Sequence, residues 1–171
     1  MAQQQAGSTD AQVGSIRLGE IRNSAAGPAD AQLILQLYDL RRESEMRKAR
    51  NWYFQFNPQS AQDVLNMLMA AGSQENAWFR QVLGYWDMVA SLALRGALHP
   101  DLFLDNCGEM WFTFAKLRPY AAEVREKLHS PEFLARVEKA VLSTEEGRER
   151  LTRVEQRIAM MRQRAAAQRN G

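Results

Sequence analysis

Residues 74–95 read QENAWFRQVLGYWDMVASLALR. Trp78, Phe79, Val82, Leu83, Trp86, Val89, Leu92, Ala93 and Leu94 recur at steps of three and four and wrap most of a helical circumference. A helix that is apolar on several sides belongs at the centre of a fold. Ser73 stands where an N-cap is needed, and Gly96 stands where the helix must stop. Residues 107–128, CGEMWFTFAKLRPYAAEVREKL, repeat the pattern with Met110, Trp111, Phe114, Leu117, Tyr120, Val124 and Leu128. Pro119 inside this stretch predicts a kink near Ala115 or Lys116, or a break into two helices.

Outward from this pair, the same period predicts further helices. Leu33, Ile34, Leu37, Tyr38, Leu40, Met46 and Ala49 mark one amphipathic helix from residue 29. Trp52, Tyr53, Phe54 and Phe56 close it against the core, and Asn57-Pro58 ends it. Ser60 with Asp63 caps a short helix through Val64, Leu65, Leu68 and Met69, ended by Gly72. His99-Pro100 opens a short turn. Ser130-Pro131-Glu132 predicts a helix start and a run to about Leu142. Thr144-Glu145-Glu146 starts a last helix to about residue 167. No stretch alternates with period two for the length of a strand. The expected fold is therefore all-α, a single bundle of about five to six helices, with Trp52, Trp78, Trp86 and Trp111 anchoring the core.

Residues 1–28, with Val13, Ile16, Leu18 and Ile21 as their only larger apolar side chains, read as a disordered tail. Residues 29–142 read as the helical domain, and 143–171 as an appended amphipathic helix with a basic end. The 171 residues carry 22 Lys or Arg and 20 Asp or Glu. The tail is neutral and the domain nearly so. The last 29 residues hold seven Arg against four Glu, so the excess positive charge sits there. One cysteine, Cys107, excludes an intrachain disulfide and favours a reducing, cytoplasmic setting. The N-terminus lacks the pattern of a signal peptide, and the apolar run from Met88 to Leu94 is too short for a membrane span.

Three features carry candidate chemistry. Asp87 interrupts the most apolar helix in the row Phe79, Leu83, Asp87, Ser91. A buried carboxylate needs a partner, and Arg118 and Arg125, seven apart on the next long helix, are the expected ones. The cluster is either a structural ion pair or a ligand-binding or catalytic acid. His99, Asp101, Asp105, Cys107 and Glu109 crowd one loop, but their spacing matches neither a zinc nor a calcium site. A single Cys with two loop histidines is no nucleophile signature, so no metal or cofactor is expected. No dinucleotide, Walker, nucleophile-elbow or zincin motif occurs.

The last helix spaces Leu151, Val154, Ile158 and Met161 as a heptad-like seam of only about two heptads. After Glu155 come Arg157, Arg162, Arg164 and Arg169 and no acid. Docking on its own core, self-association through the seam, and binding of nucleic acid or an anionic membrane all fit. The expected function is a non-enzymatic protein–protein interaction or scaffold role. An anionic-surface binder using the Arg-rich end and an enzyme or ligand-binding protein using Asp87 are the alternatives.

Leu83-Gly84-Tyr85-Trp86-Asp87, Leu94-Arg95-Gly96-Ala97-Leu98, and Leu117-Arg118-Pro119-Tyr120 with Arg125 resemble a family of bacterial helical domains of unknown function. The resemblance spans about a third of the chain. It implies a bacterial helical fold and no particular activity.

Overall fold

The computed structural model describes residues 25–169, apart from the side chains of 165, 166 and 169. The segment expected to be a tail, up to residue 24, lies outside the described residues. The described residues hold eight helices and no strand: α1 (Pro28–Arg42), α2 (Ser44–Gln55), α3 (Ala61–Met69), α4 (Gln74–Leu94), α5 (Pro100–Asn106), α6 (Gly108–Leu128), α7 (Ala135–Val141) and α8 (Glu145–Arg169). The all-helical class is as expected, and the count of five to six is corrected to eight. Among the described residues no helix is long and apolar enough to cross a membrane.

The two long helices begin and end close to where their punctuation places them. Ser73 Oγ accepts the Asn76 N–H, and Gly96 turns the chain at φ +74°. That left-handed turn lets Ala97 N–H reach the Leu92 carbonyl. α6 passes Pro119 without a break. It ends on left-handed His129, where Ser130 N–H bonds back to the Arg125 carbonyl. α4 packs on α2, α3 and α7, while α6 packs on α3, α7 and α8. Trp86 and Trp111 are fully buried, whereas Trp52 and Trp78 are partly buried in an aromatic group with Phe56 and Phe79.

Two of the expected elements are corrected. The helix drawn from residue 29 to 55 is two helices. Glu43 steps out to ψ 143°, and its carboxylate accepts the Met46 N–H at 2.9 Å, which ends α1 and restarts the chain as α2. α1 then packs against α2 and α5, and the Asp30 carboxylate accepts N–H groups from Gly27 and His99. Those two bonds, Gly27 first, hold the Asp30 carboxyl below its usual range. The helix expected from Ser130 begins only at Ala135. Leu134 is buried in a left-handed conformation at φ +58°, and residues 131–134 form turns.

α8 closes the side of the bundle beside α6. Leu151 and Ile158 are buried in the common core, with Val154 packed against it. Trp111 Nε1 donates to the Gly147 carbonyl at 2.9 Å, and Arg150 donates to the Leu104 carbonyl. The seam is thus occupied by the chain's own core, with Met161 at its far end 42% exposed.

Candidate binding cleft

Asp87 faces α7 instead of α6. Its carboxylate takes a forked bond from Arg136, with Nε at 3.0 and 2.9 Å from the two oxygens. Arg118 pairs with Glu155 of α8 at 2.7 Å. Arg125 donates to the Phe133 carbonyl at 2.8 Å and pairs with Glu138 at 2.7 Å. The expected cluster of Asp87, Arg118 and Arg125 is therefore not assembled. Each member ties a different pair of elements, because α7 lies against α4 and supplies the nearer guanidinium. Asp87 opens on a shallow hollow with Met88 and Ser91, and its partner Arg136 is over half exposed.

The crowded loop is likewise structural. His99 Nδ1 caps α5 by accepting the Asp101 N–H. Glu109 is held by Arg50 through bonds of 2.8, 3.1 and 2.5 Å. Burial pushes the Cys107 thiol up to about 11, which removes its thiolate at neutral pH. No group of three or more possible metal ligands forms among the described residues.

The concave surface lies elsewhere, where α2, α6 and α8 meet. Phe54 of α2 is 58% exposed and stacks on Phe112 of α6, centroids 5.4 Å apart and planes 19° apart. Hollows of about 380 and 170 Å³ flank this stacked pair. Arg50, Glu109, Thr113, Val154 and Arg157 line the larger one together with the rings. Lys116, Ile158, Met161 and Arg162 line the smaller.

Lys116 builds this surface from beneath. It is 3% exposed, and its ammonium donates to the Tyr53 and Phe54 carbonyls at 2.8 and 2.9 Å. It thereby satisfies carbonyls that the end of α2 leaves free. It also lies 5.1 Å from the Phe112 ring centroid. Burial first, and Arg162 second, pull its pKa down to about 8. Tyr53 Oη donates to the Thr113 carbonyl, which fixes α2 on α6 one turn further along. Arg162 reaches the Asn57 side-chain oxygen at 2.9 Å. The Arg157 side chain is exposed and has no ion pair or hydrogen bond among the described residues.

A family described as a domain of unknown function, DUF4760, matches residues 26–143. The chain belongs to this family. No curated protein and no solved structure matches it. The DUF4760 match takes in α1 to α7 and stops before α8. Two walls of the cleft, α2 and α6, thus lie within the DUF4760 residues, and the third lies beyond them.

Of the seam and the basic end, the structure brings Val154, Ile158, Met161, Arg157 and Arg162 to the cleft. Arg164 is exposed, and the Arg169 side chain lies outside the described residues. Phe54 was expected against the core and is instead exposed, and Lys116 was read only as the place of a kink, yet both left a signal. Trp52-Tyr53-Phe54 are successive residues at about 100° steps, so they cannot all face one core. Lys116 is the one cation in the inward-facing rows of α6.

Proposed function

We propose that the chain is a non-enzymatic protein–protein interaction domain whose working surface is the cleft between α2, α6 and α8. The observation that carries this reading is the exposed Phe54–Phe112 stack with a hollow on either side. An apolar side chain kept at the surface between concave walls suits the anchors that dominate protein interfaces. A reducing, cytoplasmic setting, which a single cysteine favours, is part of this reading.

A photo-crosslinking residue placed at Phe54 tests it in cells that produce the chain. A discrete adduct is expected there, absent from the exposed control position Gln62 on α3 and suppressed by Met161→Glu. Equal adducts at both positions, or none, contradict the reading. An adduct at twice the chain's mass identifies the partner as a second copy.

A second reading, an anionic membrane surface, is supported by one observation. Met160 and Met161 are 53% and 42% exposed on α8, with Arg157 and Arg164 close by in sequence. Co-sedimentation with phosphatidylglycerol vesicles that fades with salt is expected if it holds. Binding that ignores salt rejects it.

A further inference from the structure

We infer that the cleft takes an acidic peptide segment of another protein, one whose carboxylates alternate with apolar side chains. This rests on the interaction reading above and adds the chemistry of the occupant. Four cations, Arg50, Lys116, Arg157 and Arg162, line the two hollows against one carboxylate, Glu109. Arg50 and Glu109 neutralise one another. The other three charges stay uncompensated. Lys116 donates to two backbone carbonyls, and Arg162 to the Asn57 amide oxygen and the Pro58 carbonyl. Arg157 meets no acceptor among the described residues. A ligand seated here therefore gains by bringing negative charge, and a cationic one is repelled.

The floor supplies the other half of the specificity. Phe54, Phe112, Val154, Ile158 and Met161 give the two hollows an apolar lining beside the cations. Thr113, 1% exposed, also lines the larger hollow. Two hollows divided by one stacked pair suit an extended or helical segment with two anchors better than a single small ion. A flat bilayer does not reach into concave pockets of 380 and 170 Å³. Nucleic-acid bases need free aromatic faces, and Phe112 is engaged by both Phe54 and the Lys116 ammonium.

The test uses the full chain and a displayed library of random 12-residue peptides, selected at physiological salt. The best sequence is then measured as a synthetic peptide by fluorescence anisotropy. The variants are Phe54→Ser, Arg157→Glu, and Arg164→Glu as a control outside the cleft. Phe54 and Arg157 are exposed, so their thermal midpoints report any loss of fold. The expected result is a consensus of Asp or Glu among Phe, Leu or Trp. Phe54→Ser and Arg157→Glu should each weaken it by about tenfold or more, and Arg164→Glu by far less. A consensus without acids that still depends on Phe54 overturns the acidic occupant and leaves the interaction reading standing. Peptides indifferent to Phe54, or no selected peptide, overturn both. Phosphatidylglycerol vesicles that bind through Arg157 and Arg162, with no acidic consensus, also overturn the inference and assign the surface to a membrane.

Discussion

Gly147 and Gly84 are both helical glycines, and the structure assigns opposite signs to the same substitution. A Cβ added at Gly84 meets nothing within 4 Å. Gly84→Ala therefore gains helix propensity alone, about 1 kcal/mol. A Cβ added at Gly147 lands 2.4 Å from the Val141 carbonyl oxygen and 3.1 Å from Thr144 Oγ1. The first is backbone at the end of α7 and cannot rotate away, so the start of α8 must shift by about 1 Å. Such overpacking costs about 1–3 kcal/mol. The shift also disturbs the Trp111 Nε1 bond to the Gly147 carbonyl and the Thr144 cap on the Gly147 N–H. Each bond contributes about 1 kcal/mol. Against the propensity gain, Gly147→Ala should lose about 2 kcal/mol net. The two variants should then differ by about 3 kcal/mol, or about 6–12 °C in Tm for a chain of this size. Urea titrations at matched slope, with calorimetry beside them, read the difference. If Gly147→Ala equals or exceeds the wild type while Gly84→Ala gains, the placement of α8 against α7 is wrong.

Three further outcomes follow from individual polar groups. Trp111 has an acceptor for its indole N–H, while the buried Trp86 Nε1 has no partner among the described residues. Trp111→Phe removes the indole bond to the Gly147 carbonyl, while Trp86→Phe removes an unpartnered N–H, so Trp111→Phe should destabilise by about 1 kcal/mol more in urea unfolding. Lys116 has a folded pKa lowered from 10.5 to about 8, so between those values the unfolded chain binds more protons. Its contribution is fully present above pH 10.5 and is lost as pH falls toward 8. Wild-type stability should accordingly rise relative to Lys116→Met by on the order of 1 kcal/mol per pH unit above pH 8. A flat difference between the two titrations sinks that assignment. Asp87→Asn removes an exposed ion pair with Arg136 and should cost less than about 1 kcal/mol in the same assay.

How far the sequence carried depended on where the determining interaction was local. Ser73, Gly96 and Ser60 with Asp63 are caps read within a few residues, and each sits where its chemistry predicts, whereas His99-Pro100, read as opening a turn, starts the helix α5. Glu43 was missed because Glu is not a favoured cap, although the apolar phase shifts across it: at about 100° per residue, Met46, Ala49 and Tyr53 lie on a different side from Leu37. The signal at Ser130 was overruled by tertiary burial of Leu134, which no local rule anticipates. Asp87 was expected to pair with α6 because α6 is the next long helix. The chain order hides that α7 comes back against α4 and presents Arg136. The cleft was half legible. The Arg residues beyond Glu155 were visible as a basic end, but which apolar wall they would border depends on the docking of α8 on α6. That docking joins residues more than 35 apart in the chain, as in Trp111 with Gly147 or Arg118 with Glu155.

The docking of α8 is also the point on which the account turns, because the DUF4760 residues end at 143 while the core and the cleft extend beyond. The direct measurement is urea unfolding with light scattering on a chain ended after Ser143. Removing α8 takes Leu151 and Ile158 out of the core and uncovers Trp111 and the α6 face it packs on. The expected loss is about 5 kcal/mol or more, comparable with the whole stability of many domains. The shortened chain should show a broad, low-midpoint transition and a tendency to associate. A shortened chain that stays monomeric and unfolds at the full-length midpoint would show that α8 is no part of the core, and the cleft would lose its third wall.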